Sequence, residues 1–251
     1  MMSGTIRWMI FCSAVLCIPL QGFGNTSNAA EGDDIYLVFY LSQNGRTGHL
    51  GLAVDNYYIV VRDSISDGKE ITVYDTIRNN SLTYFDLWGP PEIRLDQHGQ
   101  NLAPRYYKLP RTSAEARITT WYFMTKGLPH AYDYPCDGLV RIRTRPAQDM
   151  EMVKIAEVVR QQHPYFNTRS YNCVDYIINC LDTLFHVDIE AKEFIPFTWS
   201  STPNKLYTSI GEYLDVDIIK DAGLGARNSF VSERIFYSLF YNQNRHHEEC
   251  D

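Results

Sequence analysis

The sequence predicts an α+β fold, with an antiparallel sheet from the first part of the chain packed against helices from the second. Three observations predict it. Short runs rich in β-branched and aromatic residues, each bounded by turn residues, crowd between positions 34 and 76. Helical spacing of apolar residues is confined to the chain beyond position 113. The 251 residues carry no internal repeat and no linker long enough to separate two domains.

Taken in order, residues 34–41 (DIYLVFYL) read as a strand, and Gln43-Asn44-Gly45 as a turn. Strands follow at 48–54, 57–62 and 71–76, separated by a turn at Asp55-Asn56 and a loop at 64–68. Residues 79–104 show no periodicity and are interrupted by Trp88-Gly89-Pro90-Pro91, so they read as an irregular segment, with 84–104 a candidate lid. A strand at 105–109 precedes a helix at 113–125, with Ser113 as N-cap and Glu115 in its first turn. Residues 127–138 form a loop holding His130 and Cys136. An amphipathic helix at 148–162 stops before Pro164, and a more apolar one spans 172–185. A loop rich in aromatics and proline (194–204) leads to a short helix at 203–214. The predicted domain runs from 31 to 240, followed by a polar tail at 241–251.

Composition narrows the function classes. Hydrophobic residues make up 45% and aromatics 14%, enough for a packed core. Eighteen tyrosines fit a wet cleft as well as half-buried strands. The formal charge of −7, with no basic run interleaved with aromatics, argues against a nucleic-acid partner. Arg7 followed by thirteen mostly apolar residues (8–20) reads as a signal peptide over 1–24, with cleavage as late as 30. That stretch is too short for an ordinary membrane span, so no stable span is expected after cleavage. Phe11 before Cys12 and Leu16 before Cys17 disfavour a lipoprotein site. A secreted or periplasmic location follows. Export implies an oxidising compartment, where Cys136, Cys173, Cys180 and Cys250 remain. If Cys173 is a working thiol, Cys136, Cys180 and Cys250 allow at most one bridge, so the fold must rest on its core.

Two short pieces carry the chemistry. Asn172 is a good N-cap, placing Cys173 in the first turn of a helix, where free amides and the helix dipole favour a thiolate and an oxyanion. Ile177, Cys180 and Leu184 share a face with Cys173 and form the stripe that packs on the sheet. In the strand 48–54, alternation puts His49, Gly51 and Ala53 on one face, whose small side chains would let the Cys helix approach. A thiol and an imidazole so placed are a nucleophile and its base. Asp75 is the first candidate to orient His49 and Asp55 the second, because a carboxylate fixes an imidazole tautomer. His130 is the alternative base should His49 be structural. The competing reading of each residue is plain packing: a buried thiol, a core histidine, a strand-end aspartate.

Tyr171-Asn172-Cys173-Val174-Asp175-Tyr176-Ile177 resembles the nucleophile motif of NlpC-type, papain-like cysteine peptidases, and Gly48-His49-Leu50-Gly51-Leu52 resembles their His strand. His before Cys is the order of the circularly permuted branch, which includes lecithin retinol acyltransferase-like proteins and YiiX-like hydrolases. The resemblance covers residues 35–184, and Ser201-Thr202-Pro203-Asn204-Lys205-Leu206 is similar to a segment that follows the Cys helix in permuted members. It implies a papain-like sheet-and-helix fold with the catalytic Cys at a helix N-terminus, a Cys nucleophile, a His base and a third polar residue. The implied activity is acyl cleavage or transfer, with Tyr171 and Asn172 beside the oxyanion.

Three functions compete on this sequence. The first is a cysteine hydrolase acting on a peptide-like amide, such as a peptidoglycan peptide. The second is a lipid-directed acyltransferase or amidase, with Phe194, Phe197 and Trp199 either lining an acyl groove or packing in the core. The third is a binding module that has lost catalysis. No cofactor or metal is expected: His246-His247-Glu248-Glu249-Cys250 has ligand types without structural-zinc spacing. No phosphate loop, Gly-x-Ser-x-Gly elbow or distinctive carboxylate pair occurs.

Overall fold

The computed structural model describes residues 34–42, 48–110, 117–128, 130, 134–195 and 198–223. The predicted signal segment and polar tail lie outside the described residues. Within them, every strand of the main sheet runs antiparallel to its neighbours, in the order β4-β3-β2-β1-β5-β8. The central strand is β1 (Asp34–Tyr40), whose seven residues are all buried. It pairs with β2 (His49–Ser66), Ile35 opposite Val54 through Tyr40 opposite His49, and on its other side with β5 (Gly138–Arg143). Next outward come β3 (Lys69–Trp88) and β4 (Arg105–Leu109) on one side, and β8 (Val216–Lys220) on the other.

Alternation gives this sheet two apolar faces. On one, Ile35, Leu37, Phe39, Leu50, Leu52, Val54, Phe85 and Leu87 join Met152, Ala156 and Val159 of α2 (Pro146–Gln162) and Ile177, Cys180 and Leu181 of α3 (Cys173–Phe185) in one core. On the other, Tyr36, Val38, Tyr40, Ala53 and Tyr84 meet Ile118, Leu128, Cys136 and Phe123 of the short α1 (Thr120–Thr125). Each fully buried Val, Leu, Ile, Phe or Met side chain among these contributes about 1.5–3 kcal/mol by leaving water. A small hairpin of β6 (Lys192–Ile195) and β7 (Thr198–Ser201) leads into α4 (Pro203–Ser209).

Several expectations change. The strands expected at 48–54 and 57–62 are one strand, β2, irregular only between Asp55 and Tyr57. The expected loop at 64–68 is a two-residue turn in which Asp67 (φ 51°) and Gly68 (φ 71°) both adopt the left-handed conformation that closes tight hairpins. β3 absorbs residues 79–88 from the segment expected to be irregular, because Leu82-Thr83-Tyr84-Phe85-Asp86-Leu87-Trp88 alternates its two buried faces. The helix expected from Ser113 shrinks to α1, capped at Thr119, and residues 111–116 lie outside the described residues. Strands β5 and β8 were not expected, and β6 and β7 replace part of a loop. Cys136 and Cys180 are free, buried and on opposite faces of the sheet, which rules out a bridge between them.

Candidate active site

Cys173 is the first residue of α3 and is 8% exposed. The turn before it is tightly fixed. Asn172 Oδ1 accepts from the Val174 amide (2.8 Å), and the Asn172 amide donates to Asp175 Oδ2 (2.9 Å). This reciprocal cap satisfies two donors at once. Asn172 Nδ2 donates to Ser200 Oγ (3.2 Å) and the Ser201 carbonyl (3.0 Å), while Ser201 Oγ donates to Asp175 Oδ1. The Asn172 side chain is therefore consumed in holding the helix start and is not free to meet an oxyanion. The Cys173 amide itself has no hydrogen-bond partner among the described residues, as the first amide of a helix lacks one within it. Tyr171 packs its ring on His163, 4.1 Å apart and nearly parallel, and burial pushes its phenol well up.

His49 is the first residue of β2, and the segment feeding it is clamped from the far end of the chain. The Ser42 amide donates to Asn204 Oδ1 (2.8 Å), Asn204 Nδ2 donates to the Ser42 carbonyl (3.2 Å), and Ser42 Oγ accepts from the Gly48 amide (2.8 Å). A Cβ on Gly48 would lie 2.3 Å from Ser42 Oγ, so only glycine fits this approach. Residues 201–204 thus hold both the Cys helix and the His strand.

The His49 ring lies near enough to Cys173 to interact with its sulfur, and its Nε2 lies 3.1 Å from Asp86 Oδ2. It also stacks on Trp88 at 3.9 Å. Asp86 is wholly buried on β3, and Oδ2 gathers every donor around it: His49, His130 Nε2 (3.0 Å), Tyr84 Oη (3.1 Å) and Trp88 Nε1 (2.8 Å). Tyr84, Asp86 and Trp88 alternate onto the face that carries His49. His130 lies parallel to the Tyr107 ring at 3.8 Å, bracing Asp86 from the other side. Gly51 makes room, since a Cβ there would fall 2.0 Å from Tyr84 Oη.

Electrostatics follow from the geometry. Burial alone would lower the His49 pKa, but its interactions with the Cys173 sulfur and with the Asp86 carboxylate outweigh it and push it up to about 9. Burial alone would raise Asp86, but hydrogen bonds from His130 and His49 and the charge of the His49 imidazolium hold it down at about 2. The arrangement can store a proton on His49 beside a sulfur nucleophile, with a fixed anion behind the ring.

Cys173 and His49 are therefore brought together, though not as their strand faces foretold. The small residues Gly51 and Ala53 face away from α3, which packs on Leu50, Leu52 and Val54. Contact is possible because His49 starts its strand, beside the start of α3. Asp75 is not part of the site: it sits on an exposed stretch of β3 in an ion pair with Arg62 (3.1 Å). Asp55 is buried, pairs with Arg78 (2.7 Å), and lies about 20 Å along β2 from His49, at about 3.3 Å per residue. Burial lifts Asp55 to about 6 despite Arg78. The sequence reading missed Asp86, Tyr84 and Trp88; the alternating run from Leu82 to Trp88 was the available signal. Phe194 and Trp199 are exposed and meet edge to face at 5.8 Å, so they do not pack in the core, and Phe197 lies outside the described residues. Among the described residues no group of three or more His, Cys, Asp or Glu is placed to hold a metal, and no helix is long and apolar enough to cross a membrane. Comparison with family models, curated proteins and solved structures yields no match.

Proposed function

We propose that this protein is an exported cysteine hydrolase of the permuted NlpC type, cleaving a peptide-like amide through Cys173, His49 and Asp86. The observation that carries the reading is one imidazole placed beside a helix-start thiol and hydrogen-bonded to a buried carboxylate. In this reading the Cys173 thiolate attacks the amide carbonyl, a C–S bond forms, and the carbonyl electrons move onto oxygen beside the Cys173 amide. The C–N bond then breaks as the His49 imidazolium gives its proton to the leaving amine. Water attacks the thioester, His49 takes its proton, and the sulfur leaves as thiolate. Asp86 keeps the ring oriented and its imidazolium stable without itself accepting the proton.

The test has two arms. Cys173→Ala is expected to abolish release of peptide fragments from muropeptides. Iodoacetamide near neutral pH is expected to label Cys173 at least about tenfold faster than Cys136 or Cys180, since burial pushes Cys136 up to about 11 and Cys180 higher still. Equal labelling of the three would support the binding-module reading instead. One observation favours a lipid-directed acyl substrate: the exposed Phe194–Trp199 pair stands on the hairpin whose Ser200 and Ser201 anchor Asn172. That reading expects Trp199→Ala to impair turnover of long-chain acyl substrates and spare short ones.

A further inference from the structure

Beyond the body of the sheet, β2 and β3 continue as a two-stranded arm, paired from Tyr57 opposite Arg78 to Ser66 opposite Lys69. An isolated pair of strands is marginal in water, because it has no core of its own. This one also displays large apolar side chains: Tyr58, Ile59, Val61, Ile65 and Tyr74 are 50–74% exposed. The outer edge of β3 is open as well. β4 pairs only with Tyr84–Trp88, and the Leu82 amide bonds the Ile118 carbonyl. From Lys69 to Ile77 that edge has no strand partner among the described residues. A long edge of this kind templates pairing with another strand unless charge, proline or a bulge blocks it.

The sequence along this edge indicates which strand. Residues 70–78 read Glu-Ile-Thr-Val-Tyr-Asp-Thr-Ile-Arg, a near palindrome centred on Tyr74. We propose that this edge pairs antiparallel with the same edge of a second copy of the chain, about a two-fold axis through Tyr74. In that register Tyr74 meets the partner's Tyr74, Thr72 meets the partner's Thr76, Ile71 meets the partner's Ile77, and Glu70 meets the partner's Arg78. Like sizes coincide at Tyr74, Thr72 and Ile71; Val73 against the partner's Asp75 is unmatched, and Arg78, opposite the partner's Glu70, is already held by Asp55. The matched cross-strand pairs are of a favourable kind: aromatic on aromatic and β-branched on β-branched. Asp75 is already neutralised by Arg62 on the neighbouring strand, so this strip is close to neutral on an otherwise acidic chain. Pairing joins the two arms into one four-stranded sheet, which places Ile59 and Val61 of both copies on a common face. Nine residues a side is fewer than the roughly 20–30 of a standard interface, so the dimer forms with concentration and is not obligate.

Sedimentation velocity of the full chain across a concentration series tests this. A monomer–dimer equilibrium is expected. Tyr74→Lys sets like charges opposite each other at the axis and is expected to weaken the dimer at least about tenfold. Ile65→Lys, on the strand away from the edge, is expected to leave it within about twofold. Tyr74→Cys is expected to give a disulfide-linked dimer under oxidising conditions, and Ile65→Cys to give none, both in a Cys250→Ser background. A chain that stays monomeric at every concentration overturns the proposal. So does a dimer indifferent to Tyr74→Lys, or one weakened equally by Ile65→Lys, which would mean packing through the faces of the arms. None of these outcomes depends on Cys173.

Discussion

β3 carries two aspartates, eleven positions apart, in similar company: Val73-Tyr74-Asp75-Thr76 and Phe85-Asp86-Leu87-Trp88. At the outer end Asp75 is partly exposed and meets one more exposed arginine, Arg62. At the inner end Asp86 is wholly buried and collects four donors on one oxygen. The local sequence does not make this difference. Helices α2 and α3 cover only the inner half of the β2–β3 pair, and the segment holding α1 and His130 covers its other face. The irregularity between Asp55 and Tyr57 marks where the cover stops. Low dielectric strengthens every interaction at the inner end, whereas an exposed ion pair is worth ~0–1 kcal/mol. One strand therefore serves as a rigid wall of the site and as an open edge.

The sharpest way to break this contrast is to neutralise each carboxylate in turn. Asp86→Asn is expected to lower activity, or the Cys173 alkylation rate, by about 10²–10⁴, because the amide cannot hold the imidazolium or fix its tautomer. Asp75→Asn is expected to leave either rate within about twofold. The two variants should be compared at matched folded fractions, since Asp86→Asn also disturbs a buried network. Equal rates in both would remove Asp86 from the site.

A packing contrast comes next. Leu52 is buried beneath α3, so Leu52→Ala is expected to cost about 2–5 kcal/mol in denaturant unfolding. Gly51→Ala, on the opposite face, drives a Cβ to within 2.0 Å of Tyr84 Oη. It is expected to cost about 1–3 kcal/mol and to pull Tyr84 from Asp86, with a matching fall in reactivity.

These contrasts explain what the sequence could disclose. The α+β class, β1, α2 and α3 were legible because periodicity and capping are local signals, whereas the nearness of Cys173 to His49 was reached from the wrong strand face. The carboxylate that meets His49 was not legible. Asp75 follows the His strand closely and ends a clear alternation, so it was the natural choice. Asp86 lies in a run that Trp88-Gly89-Pro90-Pro91 made look broken. Its role depends on His130, forty-four residues away, and on register with β2, neither of which periodicity reports. β5 and β8 were missed for a related reason: Leu139-Val140-Arg141-Ile142 is short, and β8 is an edge strand with half-exposed residues.

A pH series sharpens the electrostatic half of the comparison. His49 has a folded pKa raised from its ordinary 6.5 to about 9. Its protonated form therefore stabilises the fold fully below about pH 6.5, and that contribution is lost as pH rises through about 9. Asp86 runs the other way: its charge stabilises the fold above the ordinary carboxylate range and is lost as pH falls through about 2. Activity is expected to decline on the alkaline side near pH 9, and the decline should move to lower pH in Asp86→Asn. Titration of the His49 ring by NMR checks both statements. An ordinary imidazole pKa in the folded chain would break the Cys173–His49–Asp86 coupling.

The smallest effect belongs to the arm. Ile65 is 74% exposed near the end of the hairpin, on the face that also bears Ile59 and Val61. In the monomer its side chain has little buried apolar surface to expose on unfolding. Ile65→Thr keeps β-branching and strand preference, so unfolding free energy is expected to change by less than about 0.5 kcal/mol. Val54→Thr, on the same strand but wholly buried, places a hydroxyl in the core and is expected to cost about 1–3 kcal/mol. Guanidinium titrations at low protein concentration measure both without contribution from association. Should the two substitutions cost the same, the arm would be packed against something in solution, and the division of β2 and β3 into a covered root and an open arm would fail.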